Sequence, residues 1–581
     1  MRLSAILSKE RLSRLLEPRM IVFILVISFV GVMALLPSFI VIWNSFKVLM
    51  PFDVSDFSLS NWTLYNFIEV YTDPQSFKML INSFIFATGS AVVAMVFGGT
   101  LAFLVERTNT PFRNVIYGLM FIPMALPSML KGIAWIMLLS PKIGLLNLLW
   151  CSFGFSQPLF SAYSLPAMCW VEGISMSAMA FLLLGASLRA MDPSLEEAAY
   201  TSGASKPYTM FRITLRLMTP ALAGVSLLVF VRGLEAFDIP LVMGLSGGIH
   251  VFSTNIYWFI KELVPPDYSG GYTYSLILIA ICGVGLILYQ RVFARAGKYA
   301  TITGKGYRPR IMDLGKWKPV AAAVVIFWVF IALILPLFVL IWASLVPYYQ
   351  APSMEALKTV SLDNYRVLFG EKDFALAVKN TLMLCTGASL SCMILATLIS
   401  WLVIRWRTRA TKVLDWLAFI PYALPGVSVA FGLLVLFLSF PNPIYGTIWI
   451  IMLGNITKFL PAATRFTHAG MAQIRGELEE AASASGANSF AVLRRIIVPL
   501  LIPSLVGGGL FVFLHVSKVL GTAAILGNAD SRILATLILH YWERGGMPST
   551  SALSVVMIVG LVTLTIATRK LAQRGAMVAT T

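Results

Sequence analysis

The heptapeptide Phe121-Ile122-Pro123-Met124-Ala125-Leu126-Pro127 returns 298 residues later as Phe419-Ile420-Pro421-Tyr422-Ala423-Leu424-Pro425. Working outward, Asn82 followed by Thr88-Gly89 recurs at the same offset as Asn380 followed by Thr386-Gly387. Earlier still, Ser58-Leu59-Ser60-Asn61-Trp62 recurs as Ser361-Leu362-Asp363-Asn364-Tyr365. Downstream, Leu195-Glu196-Glu197-Ala198-Ala199 matches Leu478-Glu479-Glu480-Ala481-Ala482 at an offset of 283. The second copy is therefore about fifteen residues shorter between these landmarks, and the loss falls around 147–163. Order and spacing kept over so many points mark an internal duplication.

Both copies are apolar. Of the 581 residues, 58% are hydrophobic and only 12% charged, roughly half the charge of a soluble protein, which makes a water-soluble fold a poor fit. Stretches such as 21–46, 87–105 and 320–342 approach the roughly 20 residues that cross a bilayer. The reading is an all-α integral membrane fold with about 12 transmembrane helices in two parallel six-helix repeats. The expected spans are 21–46, 80–105, 114–139, 164–189, 218–245 and 272–292, then 319–346, 378–404, 414–438, 444–462, 500–526 and 551–568. Residues 1–300 form the first repeat, 301–317 a basic cytoplasmic linker and 318–581 the second repeat. The prolines of the opening heptapeptide and its copy should break or bend their helices, because proline removes an intrahelical donor.

The net charge of +18 is sorted by side rather than gathered into one nucleic-acid-binding face. Lys9, Arg11, Arg14 and Arg19 precede the first span, Arg107 and Arg113 sit in a short loop, and Lys298, Lys305, Arg308, Arg310, Lys316 and Lys318 crowd the middle connection. Arg405, Arg407, Arg409 and Lys412 mark another basic turn, and Arg569, Lys570 and Arg574 close the chain. The positive-inside rule places these in the cytoplasm, with both termini inside and an even span count. The first apolar stretch is too long for a signal-peptide core and is read as a retained helix. Cys151, Cys169, Cys282, Cys385 and Cys392 show neither metal spacing nor a disulfide framework and read as small buried hydrophobes. No phosphate-binding loop of the Gly-x-x-x-x-Gly-Lys-Ser/Thr type is present, and the four histidines are scattered, so no catalytic site is expected in this chain.

Two loop segments carry the functional signal. They are Asp192-Pro193-Ser194-Leu195-Glu196-Glu197-Ala198-Ala199-Tyr200-Thr201-Ser202-Gly203-Ala204 and Glu477-Leu478-Glu479-Glu480-Ala481-Ala482-Ser483-Ala484-Ser485-Gly486-Ala487. Ser194 can cap a helix with Glu197 completing a capping box, and acidic residues in the first turn suit the helix dipole. Alanines give a narrow face, and the glycines permit a sharp turn. A short rigid helix of this kind fits a groove on another protein and can transmit a push to the spans beside it.

At these residues the chain resembles the permeases of binding-protein-dependent ATP-binding-cassette importers, which carry a cytoplasmic Glu-Ala-Ala…Gly loop. The first copy keeps Glu197, Ala198, Ala199, Gly203, Phe211, Ile213 and Leu215, with Arg216 where the family usually has proline. The second keeps Glu480, Ala481, Ala482, Gly486, Ile496 and Pro499, with Arg494 and Val498 at the positions of Phe211 and Leu215. The resemblance implies two fused permease domains, two cytoplasmic subunits that bind ATP and Mg, an external (periplasmic) solute-binding protein, and residence in a bacterial inner membrane. It implies that Ser194, Glu196, Glu197, Ala198, Ala199, Gly203, Glu479, Glu480, Ala481, Ala482 and Gly486 couple the chain to its ATPases, with no cofactor in the chain itself. The fused form looks like the ferric-iron and organophosphonate branches, which ranks iron(III) first, followed by 2-aminoethylphosphonate, thiamine or a polyamine; an ion-coupled secondary transporter is the competing class.

Ionisable residues within spans mark candidate pathways. Glu235 and Asp238, three apart, are expected on one helical face, and the second copy presents His515, Ser517 and Lys518, with Lys518 aligned to Glu235. These read either as an ion pair between halves or as a polar patch along the route. Lys131 reads as a lysine whose amine snorkels to the surface.

Overall fold

The computed structural model describes residues 18–192, 194–296, 311–440 and 443–578. Lys9, Arg11, Arg14, Lys298, Lys305, Arg308, Arg310 and most of the 301–317 linker lie outside the described residues. Among the described residues regular structure is helical, apart from one isolated parallel bridge between Thr108 and Met312. That is the expected outcome for apolar sequence in lipid, where each backbone donor and acceptor must be satisfied within its own segment.

Nine described helices are long and apolar enough to cross a membrane, and two bent pairs raise the number to eleven. The twelve expected spans are therefore matched only in part. The remaining expected span falls on Ile448–Gln473, an unbroken helix of 26 residues in which Asn455 and Lys458 lower the hydropathy. The bent pairs are Val115–Ala125 with Ser128–Leu139, at 93°, and Arg409–Ala423 with Gly426–Ser439, at 106°. Both breaks fall on the repeated Leu-Pro. Leu126 and Leu424 are extended, with ψ of 132° and 129°, because a following proline disfavours the helical region. Pro127 and Pro425 then stand at the N-caps of the helices that follow.

The fifth span of each copy is shorter at its far end than expected. Leu215–Glu235 and Val498–Val516 stop well before 245 and 526, and separate short segments follow, Pro240–Gly244 and Gly521–Leu526. Both helices are entered through a π-helical turn, Met210–Thr214 in one copy and Leu493–Ile497 in the other, at the 283-residue offset of the loop motif. The additional residues of the first copy form the short helix Leu145–Ser152 and the turn behind it. The buried Asn147 side chain ties this segment together, donating to Leu139 O, Ser140 O and Phe160 O and accepting from Phe160 N–H.

The chain divides into two compact units. One comprises the described parts of Met1–Trp62, Lys372–Leu537 and Leu561–Thr581, and the other Thr63–Glu371 and Ile538–Gly560. In the second of these, Pro74–Arg107 packs along Leu165–Ala190 through small residues: a Cβ on Gly98 would lie 2.5 Å from Ser177 O, and one on Gly89 would lie 2.6 Å from Cys169 Sγ. In the other unit, Lys372–Trp406 packs along Ile448–Gln473, and a Cβ on Gly387 would lie 2.4 Å from Met452 Cε. The offsets of 298 and 283 residues carry Gly89 to Gly387 and Cys169 to Met452 respectively, so each copy builds the same crossing with different side chains.

The first span of each copy packs in the unit built mainly from the other copy. Pro18–Ser45 lies on Gly426–Ser439, where a Cβ on Gly432 would meet Pro37 O at 2.4 Å; Phe23 packs edge-on against Trp406. Leu335–Leu345 lies on Ser128–Leu139, Trp328 Nε1 donates to Ser177 Oγ (2.9 Å) and Tyr349 OH donates to Met137 O (2.5 Å). Four cysteines are buried as expected. Cys151 is exposed, because it sits on the additional helix rather than in a span.

Candidate functional site

The two loop motifs fold alike. Ser194–Thr201 and Glu477–Ala484 are helices of 8 residues each, and each ends at a glycine in the left-handed region, Gly203 at φ +83° and Gly486 at φ +84°. Gly203 N–H donates to Tyr200 O (3.0 Å) and Ala204 N–H to Ala199 O (2.9 Å); Gly486 donates to Ser483 O (3.0 Å) and Ala487 to Ala482 O (3.1 Å). This paired-bond cap satisfies terminal carbonyls and turns the chain sharply, and only glycine adopts its backbone without penalty. The start of the first helix differs from expectation. Ser194 lies within the helix, and its N–H donates to Asp192 Oδ1 (2.9 Å), so the carboxylate of Asp192 rather than the Ser194 hydroxyl supplies the capping acceptor.

The consecutive glutamates point in different directions. Glu197 and Glu480 are exposed, as are Leu195, Ala198, Leu478 and Ala481, whereas Ala199 and Ala482 are half-buried. Glu196 is buried, 9% exposed, and faces the spans. Its Oε1 accepts from the Thr214 hydroxyl (2.7 Å) and its Oε2 pairs with Arg107 Nη1 (3.4 Å), while Arg107 Nη2 donates to Leu188 O (2.9 Å). In the second copy Arg405 Nε lies 2.6 Å from Glu479 Oε1, and Arg405 Nη2 donates to Ile474 O (3.0 Å). Removing one partner of the buried Arg107–Glu196 pair would strand a charge, a cost of about 3–5 kcal/mol, and the half-buried Arg405–Glu479 pair should cost less. In the sequence Arg107 and Arg405 mark only sidedness, although they stand at the 298-residue repeat offset.

The linker between the copies reaches the first motif. Met312 N–H donates to Arg107 O (2.8 Å), Asn109 N–H to Met312 O (3.1 Å) and Leu314 N–H to Asn109 Oδ1 (3.0 Å). Asp313 accepts from the Asn109 side chain and from Gly315 N–H and pairs with Lys318 (3.3 Å); these contacts hold its carboxyl down to about 2. A cavity of about 340 Å³ lies between this strand and the loop helix, lined by Arg107, Glu196, Glu197, Tyr200 and Asp313 among others. Past the glycines, Phe211 and Phe490 are 65% and 62% exposed. The loop helices thus present a rigid outer face of glutamate, alanine and leucine flanked by exposed aromatics.

Glu235 and Asp238 do not lie on one continuous helix. The helix carrying Glu235 ends there and Ala236 is extended, so Asp238 does not share a helical face with it as expected. Glu235 pairs with Arg232 on its own helix (3.1 Å). His515 lies in the last turn of Val498–Val516, where Nδ1–H donates to Phe511 O (2.8 Å), and Lys518 lies beyond the helix end, its N–H directed to His515 O (3.4 Å).

Lys131 does not snorkel. It is 6% exposed; its amine donates to Pro123 O (3.0 Å), a carbonyl in the last turn before the proline break, and to Ser175 Oγ. Burial beside that acceptor holds the amine inward, and Glu172, 4% exposed, acts on it electrostatically together with Asp238. Sequence reading missed Glu172, an acidic residue inside an otherwise apolar helix. Among the described residues no group of three or more His, Cys, Asp or Glu is arranged to hold a metal.

Known proteins resemble this chain in sequence. The sequence pattern of the family described as "Binding-protein-dependent transport system inner membrane component" matches residues 94–298 and 392–575. A ferric transport system permease protein of Actinobacillus pleuropneumoniae is 28% identical over 83% of this chain and 69% of its own length. A protein of Salmonella paratyphi A named for 2-aminoethylphosphonate transport is 28% identical over 30% of this chain and 67% of its own. A bacterial alginate transporter solved with its alginate-bound periplasmic protein has a chain that is 20% identical, with a TM-score of 0.36, covering 45% of this chain and 96% of that one. With two matched segments that each contain one loop motif, the chain belongs to the family of binding-protein-dependent transport system inner membrane components, the permease subunits of ATP-binding-cassette importers.

Proposed function

We propose that this chain is the membrane-spanning permease subunit of an importer that takes up iron(III). An external binding protein delivers the ion, and two cytoplasmic ATPase subunits drive its passage. The paired loop helices support the coupling half of this reading. Each offers an exposed glutamate at the head of a small-residue face, Glu197 and Glu480, and each is fixed to its spans by an inward glutamate on a buried or half-buried arginine. ATP binding would close the partner subunits and draw both loops with them, opening the route to the outside, and hydrolysis would reset it. In this reading both loops and both termini are cytoplasmic.

The choice of iron(III) rests on one observation: the ferric relative matches over most of this chain, whereas the one named for 2-aminoethylphosphonate matches less than a third of it. In proteoliposomes holding the permease, its ATPases and its binding protein, iron(III) uptake should require ATP and fall when Glu197→Gln and Glu480→Gln are combined. ATPase copurification should fall with it. Uptake of 2-aminoethylphosphonate in place of iron would transfer the assignment to that solute. Flux by the isolated chain down an ion gradient would replace the importer reading with a secondary transporter.

A further inference from the structure

We infer that Arg107–Glu196 and Arg405–Glu479 are positioning pairs that carry the displacement of each loop helix into the spans, a role distinct from holding the ATPase. This rests on the importer reading above and divides the motif: the outer glutamate of each copy meets the partner, and the inner one transmits.

Connectivity carries the inference. Arg107 closes the Pro74–Arg107 helix, and its guanidinium reaches Leu188 O near the end of the Leu165–Ala190 helix as well as Glu196 on the loop helix. Glu196 also takes the Thr214 hydroxyl from the π turn that leads into Leu215–Glu235. One carboxylate is therefore tied to three flanking elements. A displaced loop helix must either move all three or break charge-assisted bonds in an enclosed site, and such bonds are stronger than neutral ones. The second copy repeats the core of this arrangement through Arg405, Glu479 and Ile474 O. It differs in having Ile497 where the first copy has Thr214, which removes one tie. The first copy is also the one whose arginine carbonyl accepts a bond from the linker at Met312. Transmission is consequently stiffer through the first copy.

The test uses the assembled complex with its ATPases, with Cys151→Ser removing the exposed thiol and Met124→Cys reporting on the break of the first bent helix. Maleimide labelling is compared without nucleotide and with ATP and vanadate. In Glu196→Gln, ATPase occupancy and hydrolysis should stay within about twofold of the parent chain, while the nucleotide-dependent change in labelling shrinks by about fivefold or more. Glu479→Gln should produce a smaller loss, and the reversed pair Arg107→Glu with Glu196→Arg should recover part of the response. An unchanged labelling response in Glu196→Gln overturns the inference. So does loss of ATPase from Glu196→Gln with full occupancy in Glu197→Gln, since Glu196 would then be the contact. If Glu196→Gln does not assemble, Thr214→Val removes only the hydroxyl on Oε1 and is read by the same outcomes. Failure of the parent complex to bind ATPases at all would refute the importer reading instead.

Discussion

Gly203 and Gly486 stand 283 residues apart and hold the same left-handed backbone, φ +83° and +84°, and among the described residues beyond their chain neighbours no atom lies within 4 Å of where a Cβ would be. Space is therefore not what requires glycine there; the dihedral is. Gly203→Ala and Gly486→Ala should each cost about 1–2 kcal/mol of local stability, with asparagine costing less than alanine. Proteolysis of the loops and ATPase copurification measure this, and both should change while the thermal stability of the spans does not.

The close helix crossings give the opposite kind of glycine. At Gly98 a Cβ would meet the Ser177 carbonyl at 2.5 Å, whereas at Gly387 it would meet the flexible end of Met452 at 2.4 Å. Gly98→Ala should destabilise the protein in detergent by about 1–3 kcal/mol, and Gly387→Ala by clearly less, because a backbone carbonyl cannot rotate aside as a methionine can. Equal losses at the two sites would contradict the packing described here.

Lys131 supports the break in the first bent helix through Pro123 O and Ser175. Lys131→Met removes the buried donor to Pro123 O and Ser175 and should cost about 1–3 kcal/mol. Glu172→Gln in the same chain should recover part of the loss, and a double-mutant cycle on detergent unfolding measures the coupling. Strict additivity would show that the two groups do not interact.

Docking of the linker strand should be insensitive to mild acid. A carboxyl lowered from 3.8 to about 2 supports the folded contact fully above the ordinary value and loses that support as the pH falls through about 2. Exchange of the Met312 amide, which donates to Arg107 O, should stay slow at pH 5 and at pH 4 once the intrinsic pH dependence is removed. Asp313→Ala should speed it at either pH.

Much of this architecture is legible in the sequence because its signals are local. A residue before proline is biased away from the helical backbone, although Leu36, Leu335 and Leu460 stay helical before theirs, and a glycine after an alanine-rich turn ends a helix, so the bent spans and the loop helices are signalled by residues 121–127 and 194–204 and their copies. The exchange of first spans is not legible, because 21–46 is apolar all round and lipid or a protein face satisfies it equally. The early end of the fifth span escaped for a similar reason: hydropathy continues through Leu241 and Val242 while the backbone has already turned at Ala236. Glu196 and Glu197 are indistinguishable in sequence; Arg107, far away in the chain, selects which of them turns inward.

The central claim is that a partner ATPase moves this chain by gripping its two loop helices. Its most direct test is crosslinking from a cysteine at the exposed positions Ala198 and Ala481, in separate chains lacking Cys151, to the copurified ATPase in intact membrane vesicles. Adducts with the ATPase are expected from both positions, strengthened or shifted by nucleotide, with no reaction with an impermeant thiol reagent added from the outside. Labelling of either position from the outside, with no ATPase adduct, would contradict it.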